Sequence, residues 1–256
     1  MAIVLVADDN PVSLHFFADA LAAHGMHCVA AENGRVAIAL ACERHFDLLL
    51  LDARMPYYSG AETLALIRAR QGLSHSSPAV ATTAGDPCSH ANLLKQGFAE
   101  VLAKPTTLVD VGAMLARQLR GFTVAEAATA TTSMADEHAA LLDDDRALLS
   151  SGGDVGIMLA LRGLLVTELQ TLACECADLG RRRDRNGLTD RLHRLDASAG
   201  FCGTPALARA VQQLRAELDQ ASAWPDMAIN EFLQTATSTL QALRDQSEST
   251  SREGVE

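Results

Sequence analysis

Five short runs of apolar residues alternate with segments of helical length in the first 120 residues. The runs lie at 3–7, 27–31, 48–51, 79–82 and 100–103. The helical segments between and after them lie at 11–24, 34–44, 60–70, 88–96 and 107–119. Strands that are apolar on both faces need cover on both sides of their sheet, which the crossover helices between parallel strands provide. The alternation therefore predicts a doubly wound α/β domain with a five-stranded parallel sheet over residues 1–120.

The second half of the chain has helical patterns and no strand pattern. Four amphipathic helices joined by short links predict an antiparallel four-helix bundle over residues 141–247. The Ala- and Thr-rich stretch 121–140 has no clean period, so we expect a linker there. The polar residues 248–256 are expected to form a flexible tail.

Composition excludes several classes of protein. With 48% hydrophobic and 21% charged residues the chain is globular, and its net charge of −11 has the wrong sign for a nucleic-acid partner. We expect no membrane insertion, because no apolar run reaches membrane-spanning length and the opening residues are too acidic for a signal peptide. The six cysteines form no C-x-x-C pair, so we expect free thiols in a cytoplasmic protein.

Chemistry-bearing residues follow four of the five predicted strands. Asp8 and Asp9 follow the first strand, Asp52 the third, Thr83 the fourth and Lys104 the fifth. Ligands of a parallel α/β sheet gather at the carboxyl ends of its strands. Crowded carboxylates need a cation, and hard oxygen ligands suit Mg²⁺. A hydroxyl and an ammonium beside them would hold anionic oxygens, which indicates a phosphoryl site with a carboxylate as acceptor.

These residues resemble the receiver domain of two-component response regulators, a flavodoxin-like fold, over about residues 1–120. The resemblance is carried by Asp8-Asp9, by Asp52 with Met55-Pro56 and Gly60 after it, by Thr83-Ala84 and by Lys104-Pro105.

The resemblance implies a role for each matching residue. Asp52 would be the phosphoacceptor. Mg²⁺ would be held by Asp8, Asp9, Asp52 and the carbonyl of Arg54. A phosphatase of the haloacid-dehalogenase type also uses an Asp after a strand, but it needs a second Asp at the position that Arg54 occupies.

The resemblance also assigns the other side of the pocket. Thr83 would bind a phosphoryl oxygen and Lys104 would pair with the phosphoryl group, and the peptide between Lys104 and Pro105 would be cis. Receivers usually carry an aromatic switch residue three positions before this lysine. Here that residue is Val101, so the usual coupling of phosphorylation to an output surface is not expected.

His193 lies in the segment HRLDASAGFCG, which resembles the signature of histidine phosphotransfer (HPt) domains. A helical wheel places His193 away from the apolar arc, so we expect an exposed side chain. The resemblance implies that His193 carries a phosphoryl group. Where the family prefers Lys three residues later, this chain has Asp196, which disfavours phosphohistidine about tenfold by repulsion. Asp196→Lys is then expected to lengthen the phosphohistidine lifetime.

The helical wheel of the first helix places Phe16 on its outward side, with Leu14 and Phe17 toward the sheet. Phosphodonor helices dock on this helix in receivers. We therefore expect Phe16 to contact a histidine kinase or an HPt bundle.

Together these patterns favour a phosphorelay protein that catalyses its own phosphorylation and dephosphorylation rather than a turnover enzyme. Its expected partners are a histidine kinase and other receiver or HPt proteins. Asp52 would accept the phosphoryl group and His193 would relay it. In the alternative, the helical half is a poor phosphoryl carrier that binds and inhibits a kinase or receiver under control of Asp52.

Overall fold

The computed structural model describes residues 1–84, 87–119, 140–220 and 223–253, without the side chains of 87–89 and 248–253. The chain divides into two units, Met1–Thr131 and Thr132–Glu256. Residues 121–139 of the predicted linker and residues 254–256 lie outside the described residues.

The first unit alternates strands and helices as expected. Its strands are β1 (Ile3–Ala7), β2 (His27–Ala31), β3 (Leu48–Asp52), β4 (Ala79–Thr83) and β5 (Glu100–Ala103). Its helices are α1 (Pro11–Ala23), α2 (Gly34–Glu43), α3 (Gly60–Arg70), α4 (Pro87–Lys95) and α5 (Leu108–Gln118). The sheet is parallel throughout in the order β2-β1-β3-β4-β5, which confirms the doubly wound sheet.

Local sequence signals account for where the helices begin. The side chain of Asn10 accepts hydrogen bonds from the backbone at the start of α1. Capping boxes of Ser59 with Glu62 and of Thr107 with Asp110 open α3 and α5. Because β1 lies between β2 and β3, the chain reverses its winding at β1, and this switch point positions a site at the carboxyl ends of β1 and β3.

The second unit is helical. It contains α6 (Asp144–Ser150), α7 (Val155–Arg182), α8 (Arg185–Phe201), α9 (Pro205–Gln220) and α10 (Asp226–Glu253). Helix α7 packs against α8 and α10, and α9 packs against the same two helices. The short α6, which sequence periodicity does not reveal, is capped by Asp143 and packs against α7 and α8. Helix α10 continues to Glu253, so the backbone of residues 248–253 is helical.

Helix α7 is long and apolar enough to cross a membrane by length and composition, contrary to the expectation that no segment is. The core helix of a globular unit can be equally long and apolar. In α7, buried apolar residues recur every three or four positions, as in a helix packed on one side: Met158, Leu161, Leu165, Leu169, Leu172 and Cys176.

Five cysteines are free thiols, as expected. They are Cys28, Cys42, Cys174, Cys176 and Cys202.

Candidate functional site

The carboxyl ends of three strands bring two carboxylates and one ammonium into contact. Asp8 follows β1, Asp52 ends β3, and Lys104 follows β5. The Nζ atom of Lys104 lies 2.5 Å from Oδ2 of Asp8 and 2.5 Å from Oδ1 of Asp52. All three side chains are buried. The strand-end pattern in the sequence therefore correctly predicts that these residues meet.

Backbone and hydroxyl donors fix the orientation of both carboxylates. The amide of Asn10 donates to Oδ1 of Asp8 over 2.9 Å, and the amide of Arg54 donates to Oδ2 of Asp52 over 2.8 Å. The hydroxyl of Thr82 donates to Oδ1 of Asp52 over 3.3 Å. Thr82 is not among the residues that the sequence predicts, although it lies directly opposite Asp52 in the β3–β4 register.

The remaining predicted residues lie at the same edge. Thr83 is buried at the end of β4, and its carbonyl accepts a hydrogen bond from the amide of Lys104 over 2.8 Å. Asp9 is half-buried directly after Asp8. The Lys104–Pro105 peptide is cis, as the resemblance implies. Val101 is half-buried and packs against the core of the sheet.

Burial and mutual charge shift the acidity of this cluster. Burial raises the pKa of Asp8 to about 7, repulsion from Asp52 adds to this rise, and Lys104 opposes it. Burial acts to lower the pKa of Lys104, but Asp52 and Asp8 outweigh it, so that the pKa is raised and the ammonium stays charged. A further cation at this edge would relieve the repulsion between the two buried carboxylates.

The donor chemistry at this edge fits Mg²⁺. Within the described parts of the chain no group of three or more His, Cys, Asp or Glu side chains is arranged to hold a metal ion. Mg²⁺ does not need such a group, because it is usually bound by one or two carboxylates and retains several waters. Asp8 and Asp52 supply the hard carboxylate oxygens, and the main chain of Arg54 lies beside Asp52.

The side chain of Phe16 is buried, so the expectation that it faces outward to contact a partner is wrong. Its side chain is 1% exposed, and its ring meets Phe17 edge-on with centroids 5.2 Å apart. The helical wheel assumed one buried face, whereas α1 packs against α5 as well as against the sheet. Leu14, expected to face the sheet, is partly exposed instead.

The predicted exposure of His193 is also wrong, because its side chain is 6% exposed. Helix α8 packs against α6, α7 and α9, so it buries residues around most of its circumference. Arg191 and Ala197 are buried along with the apolar arc that the wheel identified. The other histidine in the second half of the chain, His138, lies outside the described residues.

Asp196, one turn beyond His193, has a partner that the sequence does not reveal. Nη1 of Arg215 on α9 lies 3.2 Å from Oδ2 of Asp196, whose side chain is 11% exposed. Burial raises the pKa of Asp196, and Arg215 opposes the rise. A lysine at 196 would face Arg215, so Asp196→Lys would disturb the packing as well as the charge near His193.

Two histidine kinases are similar to this chain over most of its length. Sensor histidine kinase GacS of Pseudomonas protegens is 27% identical over 242 residues, which cover 90% of this chain and 26% of GacS. Signal transduction histidine-protein kinase BarA of Escherichia coli strain K12 is 25% identical over 229 residues, covering 88% of this chain and 25% of BarA. The chain thus spans about a quarter of the length of these two relatives. An alignment over 90% of the chain must continue beyond the first unit into the helical one.

Other comparisons match a smaller share of the chain. The solved receiver domain of sensor histidine kinase PA1611 from Pseudomonas aeruginosa PAO1, with magnesium in its active-site cleft, is 27% identical. It covers 46% of this chain and 96% of that chain, with a TM-score of 0.42. Polar-differentiation response regulator DivK of Brucella ovis is 30% identical over 106 residues, covering 41% of this chain and 85% of DivK. The family model of the response regulator receiver domain matches residues 4–116, and with its first unit the chain belongs to this family.

Proposed function

We propose that Asp52 accepts a phosphoryl group from a histidine kinase or another phosphohistidine donor. The observation that carries this proposal is the contact of Lys104 with both Asp52 and Asp8 at the carboxyl ends of the strands. An oxygen of Asp52 attacks phosphorus in line with the donor nitrogen. The new P–O bond forms as the P–N bond breaks, and the electron pair of the broken P–N bond stays on the imidazole of the donor.

The chain's own residues stabilise the transferred group in this proposal. The ammonium of Lys104 exchanges one carboxylate contact for a phosphoryl oxygen, and the hydroxyl of Thr83 donates to another. Asp8, Asp9, Asp52 and the carbonyl of Arg54 would hold Mg²⁺, which would supply positive charge beside the phosphoryl oxygens.

Magnesium binding has a consequence for stability that can be measured without phosphotransfer. At a Mg²⁺ concentration a hundred times Kd, the unfolding free energy of the first unit is expected to rise by about 2.7 kcal/mol. The rise should be lost in Asp8→Asn and kept in Asp19→Asn, a matched change on the outer side of α1. Hydrogen exchange of the β1 and β3 amides, with and without Mg²⁺, measures this rise in unfolding free energy. An equal rise in the two variants would contradict a site at Asp8.

We further propose that the second unit is a four-helix bundle of the HPt type, built from α7 to α10, which relays the phosphoryl group through His193. The HRLDASAGFCG segment, the mutual packing of the four helices and the length of the GacS alignment support this proposal. A ring nitrogen of His193 attacks the phosphorus of an aspartyl phosphate. The P–N bond forms as the P–O bond breaks, and the electron pair returns to the carboxylate.

The burial of His193 favours a second candidate function. If this ring stays covered, the bundle acts as a binding module that inhibits a kinase or receiver under control of Asp52. Transfer of labelled phosphoryl from a His193→Gln chain, phosphorylated on Asp52, to an Asp52→Asn chain separates the two functions. Acid-labile, alkali-stable label on the acceptor supports the relay, whereas no label supports the binding module.

We propose that the phosphodonor docks on the solvent side of α1. Leu14, which is partly exposed, would make the contact that was expected of Phe16. Leu14→Arg is expected to slow transfer from a phosphorylated histidine kinase about tenfold, as the loss of a contact residue does at an interface. Labelling of Asp52 by acetyl phosphate should not change, because that donor needs no docking surface. Leu94→Arg, a change at an exposed leucine of α4, is the control. Equal rates for the two variants would place docking elsewhere.

A further inference from the structure

The turn that follows His193 on α8 places a carboxylate where it opposes phosphorylation. Residues three apart on a helix have Cβ atoms about 5–6 Å from each other, so Asp196 is a neighbour of His193. A doubly charged phosphoryl group at that distance from an unpaired carboxylate is disfavoured about tenfold, even at the dielectric constant of water. A carrier function of His193 needs a positive charge that offsets Asp196.

Helix α9 provides that charge. Nη1 of Arg215 is 3.2 Å from Oδ2 of Asp196, and both side chains are largely buried, with 23% and 11% exposed. A guanidinium has five N–H donors in a fixed plane, and the bond to Asp196 uses one of them. The ion pair therefore holds a guanidinium with further donor capacity beside Asp196, which lies about one turn along α8 from His193.

Two arginines of α8 itself, Arg191 and Arg194, interact with glutamates of α7. Arg191 binds Glu168 over 2.7 Å and Glu175 over 2.6 Å, both on α7. Arg194 interacts with Glu175, whose pKa it helps to lower. On α9, Arg215 contributes a cation to Asp196.

We propose that Arg215 stabilises phosphohistidine at residue 193 by charge and hydrogen bonding, and that Asp196 is a positioning residue that holds its guanidinium. This inference rests on the proposed relay through His193. It assigns to an arginine of a neighbouring helix the charge that HPt domains usually carry on a lysine three residues after the histidine. The carboxylate at 196 then orients a cation and does not act as an isolated repulsive charge.

The test uses two versions of the full chain. The donor is His193→Gln, labelled on Asp52 with radioactive acetyl phosphate, and the acceptor is Asp52→Asn, in which His193 is the proposed carrier. Acceptors that also carry Arg215→Gln, Arg215→Lys or Arg209→Gln are compared for acid-labile, alkali-stable label at equilibrium. Arg209→Gln is the matched control, because it removes a charge from the same helix six residues away from Arg215. Thermal unfolding of each acceptor confirms that its helical unit is folded.

Arg215→Gln is expected to lower the equilibrium label on His193 about tenfold, the size of the uncompensated repulsion from Asp196. Arg215→Lys should restore most of the label, and Arg209→Gln should leave it unchanged. Rescue by lysine distinguishes a charge effect from a packing effect. If the Arg215→Gln acceptor carries as much label as its parent acceptor, the inference is wrong, whereas the proposed relay through His193 is still supported. A parent acceptor without label would overturn the relay and the inference together.

Discussion

Asp52→Asn is expected to reduce phosphoryl uptake by the first unit on the order of a thousandfold or more. An amide of nearly the same shape replaces the carboxylate, so the side chain still fits between Lys104 and Thr82 but has no nucleophilic oxygen. The measurement is incorporation of label from radioactive acetyl phosphate in the presence of Mg²⁺. The His193→Gln background confines the label to the first unit.

The matched control is Asp19→Asn, since Asp19 is a partly exposed carboxylate on α1 that pairs with His15. It should take up label at the rate of the parent chain. If Asp52→Asn retained the alkali-labile label of an acyl phosphate at the parent level, another carboxylate would be the acceptor, and the proposed role of Asp52 would be wrong.

Arg191→Met is expected to cost the helical unit about 3 kcal/mol of unfolding free energy. Arg191 is buried, and it pairs with Glu168, 17% exposed, and with Glu175, 43% exposed. Burial alone would lower the pKa of Arg191, but the two glutamates raise it. Without the guanidinium, the largely buried carboxylate of Glu168 loses this charged partner and keeps the neutral hydroxyl of Ser198, 2.7 Å away, as a donor. Glu175 can turn to solvent and contributes little.

The single tryptophan makes this loss measurable in the full chain. Trp224 lies between α9 and α10, with Arg183 over its ring, so its fluorescence during urea unfolding reports on the helical unit. Arg181→Met removes an exposed ion pair with Asp178 and should change stability by less than about 0.5 kcal/mol.

A second variant tests the reason for the loss. Adding Glu168→Gln to Arg191→Met removes the buried charge that the single variant leaves unpaired, so it should recover much of the lost stability. A double variant as unstable as Arg191→Met would show that packing of the arginine stem, not the ion pair, stabilises the unit.

Local patterns predict the sheet and the strand-end residues well. All five strands begin where the apolar runs predict, because runs apolar on both faces and the caps that follow them are local signals. The meeting of Asp8, Asp52 and Lys104 follows from topology alone, since parallel strands present their carboxyl ends at one edge.

Contacts between distant segments are not predictable in the same way. A helical wheel assumes one buried face, so it fails at Phe16 and His193, whose helices are each packed by more than one neighbour. The pairing of Asp196 with Arg215 joins two helices through residues 19 positions apart. Nothing in the local pattern of either helix indicates it.

The central claim is that Asp52 carries the phosphoryl group, and one chemical trapping measurement tests it most directly. Borohydride reduces an aspartyl phosphate to homoserine and leaves a free carboxylate unchanged. The chain is incubated with acetyl phosphate and Mg²⁺, reduced, digested and sequenced by mass spectrometry. Homoserine at position 52, absent when acetyl phosphate is omitted, is the predicted result. An unchanged Asp52 in a chain that carries homoserine at another aspartate would contradict the account.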